Sequence, residues 1–79
     1  MKVKVNLYGT LGQWVPGYNP SRGIEVEIPD EATVKELLAS LEISKPEKLV
    51  VVREGRVLKV DDKMQRGTPV HVFQAIHGG

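Results

Sequence analysis

Thr33-Val34-Lys35-Glu36-Leu37-Leu38-Ala39-Ser40-Leu41 is the stretch that decides how the rest of the chain can be arranged. Val34, Leu37, Leu38 and Leu41 recur at i, i+3, i+4 and i+7, which gathers them on one face of a short helix. Thr33 and Glu36 have the spacing of a capping box. The Thr33 hydroxyl can accept from the Glu36 N–H while the Glu36 carboxylate reaches back to the Thr33 N–H. Ser44-Lys45-Pro46 is expected to stop the helix. A single helix with one apolar stripe can cover one face of a sheet and no more.

Both flanks of this helix read as strands. Upstream, Ile24, Val26 and Ile28 alternate with Glu25 and Glu27 until Pro29 ends the run. Further back, Val3, Val5 and Leu7 alternate with Lys2, Lys4, Asn6 and Tyr8, the period of a half-buried strand. Between these two runs, residues 9–23 hold four of the eight glycines and two of the five prolines. They form a long loop with one helical turn near Leu11-Gly12-Gln13-Trp14. Downstream come a strand over 49–53, a turn at Glu54-Gly55, a short strand at Val57-Leu58, a loop over 61–69 and a last strand over 69–75. The order is two strands, a helix, then further strands. It predicts an α+β domain of the β-grasp type, a mixed four- to five-stranded sheet with one main helix packed on one face. The first and last strands should lie side by side in the middle.

With 79 residues the chain has room for one core. The expectation is one domain over 1–79, with 76–79 a flexible tail. There is no cysteine, so disulfides, thiolate metal sites and cysteine nucleophiles are excluded. The opening residues run straight into a strand pattern without the apolar core of a signal peptide. Leu49-Val50-Val51-Val52, the longest aliphatic run, is far short of a membrane span. A cytoplasmic protein without membrane contact is expected. Eleven basic and ten acidic residues nearly cancel. The densest basic stretch, Arg53, Arg56, Lys59, Lys63 and Arg66, is interrupted by Glu54, Asp61 and Asp62, so it reads as a solvated face and not as a nucleic-acid stripe.

No catalytic constellation is present. His71 and His77 lack carboxylate or thiolate companions, which makes a poor metal site. Asp61-Asp62 are adjacent and do not converge on one substrate, and Ser21, Ser40 and Ser44 lack an evident base. The glycines of the long loop do not follow the phosphate-cradling pattern. Neither a catalytic residue nor a metal or bound cofactor is therefore expected. Trp14 and Tyr18 are expected to fold the long loop against the sheet end, the alternative being an exposed aromatic anchor.

Strand parity puts Val70 and Val72 on one side of the last strand and His71 and Phe73 on the other. The run Val50-Val51-Val52 must present valine to both faces. Since the helix covers one face, apolar surface is left on the open one, and such surface usually marks a docking site. The partner-binding set expected is Val50, Val52, His71 and Phe73, with Ile76 and His77 leading into the tail. Gly78-Gly79 closes the chain. Free of side chains, these two residues can thread a crevice too narrow for any Cβ and present the carboxylate of Gly79 to an enzyme.

Taken together, Val3-Lys4-Val5-Asn6-Leu7-Tyr8-Gly9-Thr10-Leu11, Ile28-Pro29-Asp30-Glu31-Ala32-Thr33-Val34-Lys35-Glu36-Leu37-Leu38 and the closing residues 70–79 resemble the MoaD/ThiS sulfur carriers, small ubiquitin-like proteins. The long first loop is more similar to MoaD, the small subunit of molybdopterin synthase. The chain differs from the usual MoaD-like pattern in three places: Gln74-Ala75 in place of Pro-Pro, Glu54-Gly55 in place of Asn-Gly, and Arg66-Gly67-Thr68 in place of Asp-Gly-Asp. The resemblance implies a carrier protein and not an enzyme. An E1-like partner would use ATP to adenylate Gly79, Gly78 would give access, and a persulfide donor would supply the sulfur of a thiocarboxylate. Its acceptor would be the molybdopterin synthase large subunit or another sulfur acceptor, in molybdopterin or tungstopterin synthesis. Sulfur delivery for thiamine, cysteine or tRNA thiolation, a ubiquitin-like protein modifier, and a β-grasp RNA-binding module remain the alternatives.

Overall fold

The computed structural model describes residues 1–43 and 48–74. Its elements are β1 (Lys2–Leu7), a 3-10 turn (Leu11–Trp14), β2 (Ile24–Glu27), α1 (Val34–Ser40), β3 (Leu49–Arg53), β4 (Arg56–Leu58) and β5 (Val70–Gln74). The five strands form one sheet in the order β2-β1-β5-β3-β4. β1 and β5 run parallel in its interior, and the other neighbours are antiparallel. This is the β-grasp architecture, with the first and last strands side by side as expected.

The period-2 pattern of the strands determines which residues enter the core. Val3, Val5 and Leu7 of β1, Val51 of β3 and Val70 and Val72 of β5 are buried in one cluster with Val34, Leu37, Leu38 and Leu41. Burying each such side chain contributes about 1.5–3 kcal/mol relative to leaving it exposed.

Helix α1 begins with the expected capping box. Glu36 N–H donates to Thr33 Oγ1, and Thr33 N–H donates to Glu36 Oε1. The remaining free N–H groups of the first turn are taken up by the loop after β4. Val34 N–H donates to Asp62 O and Lys35 N–H to Val60 O, both at 2.9 Å. Met64 N–H donates to Ala32 O at 2.8 Å, and the Met64 side chain is buried.

The helix ends earlier than Ser44-Lys45-Pro46, whose residues lie outside the described ones. Glu42 takes a left-handed φ of 60°. Its N–H donates to Ala39 O at 3.0 Å, and Ile43 N–H donates to Leu38 O at 3.4 Å. This is a Schellman stop, completed by the buried pair Leu38 and Ile43. Between β3 and β4, Glu54 and Gly55 have φ of 52° and 77°. Two successive positive values are the signature of the type I′ turn that suits a two-residue hairpin.

The two aromatic residues of the long loop part company. Tyr18 packs against the core and makes two hydrogen bonds with the backbone of Leu7. Trp14, by contrast, is 68% exposed. The expectation that both fold the loop down therefore holds for Tyr18 alone, because only its hydroxyl finds unpaired backbone to serve.

Candidate functional site

The face of the sheet away from α1 carries the partner-binding residues expected on the strands. Val50 of β3 lies opposite Phe73 of β5, and Val52 opposite His71. All four side chains alternate with buried ones: Val70 and Val72 are fully enclosed, whereas His71, Val50 and Val52 are half-buried and Phe73 is 38% exposed. The parity read from the sequence is therefore the parity of the molecule. Ile76, His77, Gly78 and Gly79 lie outside the described residues.

Two residues extend this face beyond the expected set. Tyr8, just past β1, stacks on Phe73 with ring centroids 4.4 Å apart and planes 13° from parallel. Its hydroxyl shares a 2.8 Å hydrogen bond with His71 Nδ1. Val57 of β4 pairs with Val52 and is 69% exposed. The signal for Tyr8 was in the sequence, since continuing the alternation one step past Leu7 puts Tyr8 outward. Its neighbour then follows from the parallel pairing of Leu7 with Val72.

Around this apolar strip the face is charged. Lys2 pairs with Glu27 and Lys4 with Glu25 across β1 and β2. At the foot of β5, Thr10 Oγ1 donates to Gln74 Oε1 at 3.0 Å. The last described residue before the tail is thus tied to the turn that follows β1. Of the basic stretch, Lys63 Nζ donates to Glu31 at 2.6 Å and Arg66 to Asp30 at 3.3 Å. Arg53 Nη1 donates to Lys63 O at 3.0 Å. The hydrogen bond and charge of Glu31 hold the Lys63 ammonium pKa above its ordinary value. Among the described residues, no group of three or more His, Cys, Asp or Glu side chains gathers. Among them too, no helix is long and apolar enough to cross a membrane.

The profile of the ThiS family matches residues 15–79. The chain belongs to the ThiS family. This family is one of ubiquitin-like sulfur carriers, small proteins that work with E1-like enzymes and sulfur acceptors. No curated protein matches this ThiS-family chain closely enough to be counted as a relative. Among solved structures, SAMP1 of Haloferax volcanii is 16% identical, with 100% of each chain covered and a TM-score of 0.70. A second structure of that small archaeal modifier protein, also 16% identical, covers 95% of this chain and 98% of its own, with a TM-score of 0.73. A Pyrococcus furiosus chain assigned as subunit 1 of molybdopterin converting factor is 20% identical; 96% of this chain and 99% of that one are covered, with a TM-score of 0.74. At these identities the likeness is one of fold.

Proposed function

We propose that this chain carries sulfur as a thiocarboxylate on Gly79 and delivers it to molybdopterin or tungstopterin synthesis. The supporting observation is the ThiS-family match, which runs to residue 79 and so takes in the diglycine. The terminal carboxylate, with an ordinary pKa near 3.5, is ionised at neutral pH. One of its oxygens attacks the α-phosphorus of ATP held by an E1-like enzyme, and pyrophosphate leaves. The acyl-adenylate gives an otherwise unreactive carboxylate a good leaving group. The terminal sulfur of a protein persulfide then attacks the acyl carbon and AMP leaves. A thiol of the donor cleaves the resulting S–S bond, becoming oxidised to a disulfide, and the thiocarboxylate is released. Gly78 leaves room for this approach, and catalysis belongs to the partner.

Tyr8, Val50, Val52, His71 and Phe73 supply the surface on which the activating enzyme and the acceptor subunit dock in turn. Their place on β3, β5 and the end of β1 puts that surface beside the strand that leads to the tail. Incubation with ATP, the cognate activating enzyme and a persulfide donor should replace one oxygen of Gly79 by sulfur, read by intact-mass spectrometry with the sulfur localised to the last residue. An unchanged mass, or sulfur on a side chain, would sink the proposal. Conjugates to lysines of other proteins would instead favour a modifier role, the one for which the small archaeal modifier protein of Haloferax volcanii is named.

A further inference from the structure

The two edges of the sheet are built differently. β4 is three residues long, and Lys59, the residue after it, is closed off by Asp62: Lys59 N–H donates to Asp62 Oδ2 at 2.7 Å, and Asp62 N–H donates to Lys59 O at 3.0 Å. Short, blocked edges of this kind keep other strands from adding on. β2 has no such block. Ile28 N–H donates to Met1 O and the Met1 ammonium to Ile28 O, so Met1 and Ile28 form a hydrogen-bonded pair. By the alternation of antiparallel ladders, Val26–Val3 and Ile24–Val5 are then hydrogen-bonded too. The N–H and C=O groups of Glu25 and Glu27 therefore point away from β1, and among the described residues they have no partner.

Beside this open edge, on the helix side of the sheet, lies a groove of about 290 Å³. Its apolar lining is Val15, Pro16, Ile24, Val26 and Leu41, with no lysine or arginine, and strand alternation puts the Glu25 and Glu27 carboxylates beside it on the opposite face of the same edge. The edge thus offers main-chain hydrogen bonds, alternate apolar seats and carboxylates. A second copy pairing through the same strand would set Glu25 and Glu27 against their own equivalents, and like charges directly opposite are destabilising. β1 shows which chemistry suits β2. Its Lys2-Val3-Lys4-Val5 already lies along the inner edge, lysine opposite glutamate and valine opposite Val26 and Ile24.

We propose that the outer edge of β2 captures an extended, basic segment of a partner protein, alternating valine-like and lysine residues, as a sixth strand. Its apolar residues enter the Val15–Leu41 groove, and its lysines lie beside Glu25 and Glu27 on the open face. Such strand addition takes affinity from the main chain and selectivity from the alternate side chains. The inference is independent of the thiocarboxylate, because the edge needs neither ATP nor the tail.

The test is titration of the 15N-labelled full chain with a blocked hexapeptide of alternating lysine and valine. The amides of Glu25 and Glu27 should shift most and exchange more slowly, while those of Val50 and Phe73 stay put. The same peptide methylated on its backbone nitrogens, and one with glutamate replacing lysine, should not bind. A Glu25→Gln, Glu27→Gln chain of unchanged melting temperature should bind at least about fivefold more weakly, the loss of two cross-strand charge pairs. The proposal is overturned by no shift at millimolar peptide, by shifts centred on Phe73, by equal binding of the methylated peptide, or by undiminished binding to the double variant.

Discussion

The hydroxyl of Tyr18 holds both backbone polar groups of Leu7, accepting from its N–H at 2.8 Å and donating to its C=O at 2.9 Å. Leu7 lies two residues beyond the last β1–β2 pair, Val5–Ile24. One phenol therefore completes the ladder where β2 gives out. Tyr18→Phe should leave the Leu7 N–H and C=O unserved and cost about 1–3 kcal/mol, measured by urea denaturation. Gly12→Ala should act on the same contact, since a Cβ there would sit 2.6 Å from the Tyr18 ring. If the phenylalanine variant is as stable as the parent, water serves Leu7 equally well and the clamp is of no energetic account.

Neighbouring residues of β5 should respond oppositely to the same substitution. Val72 is 0% exposed, so Val72→Asp places an unpartnered carboxylate among aliphatic side chains, at a cost of several kcal/mol. Phe73→Asp loses the stack on Tyr8, worth about 0.5–1.5 kcal/mol, and should still fold. Its expected defect is weaker binding to the activating enzyme. Melting curves and partner titrations of the two variants distinguish core from docking face.

Two glutamates occupy backbone conformations that glycine or asparagine accept at less cost. Glu42, exposed at φ 60°, ends the helix, and Glu54, exposed at φ 52°, opens the hairpin. Glu42→Gly should stabilise the fold by about 1 kcal/mol. Glu54→Asn should do so by roughly 0.5–1 kcal/mol. Thermal melting checks both. A fall in melting temperature for either would mean that the glutamate side chain makes a compensating contact.

For the tail, Gly78→Val or one added C-terminal residue should abolish adenylation, measured as ATP–pyrophosphate exchange with the activating enzyme. Melting temperature should move little. A large drop would show that the tail packs on the body, contrary to its proposed role.

How far the sequence could be read depended on whether a feature is set by residue type or by the folded surroundings. The capping box at Thr33 and Glu36 and the parity of Val70 to Phe73 follow from spacing, the central pairing of the first and last strands from their β-rich, proline-free cores, and the structure has all three. The early stop at Glu42 does not, since no residue-type rule sends a glutamate to positive φ. There, the burial of Ile43 against Leu38 decides the conformation. Met64 shows no periodicity within its loop; it is buried because Met64 N–H joins Ala32 O at the head of the helix. The divergence of Trp14 and Tyr18 was equally hidden, because it turns on a backbone gap at Leu7 that exists only after β1 and β2 have paired. Of the candidate site, the strand residues were legible, and Tyr8 needed only one further step of alternation.

The parallel pairing of β1 with β5 also bears on how the molecule is made. Val5 meets Val70 and Leu7 meets Val72, so the interior of the sheet closes only when nearly the last residues of the described chain are in place. Such distant pairing slows folding. During synthesis, β1 cannot gain its parallel neighbour until β5 has emerged. A chain cut short before Val70 would lack the strand against which β1 and β3 both pack. Termination before Val70 should therefore yield degradable fragments and not folded chains.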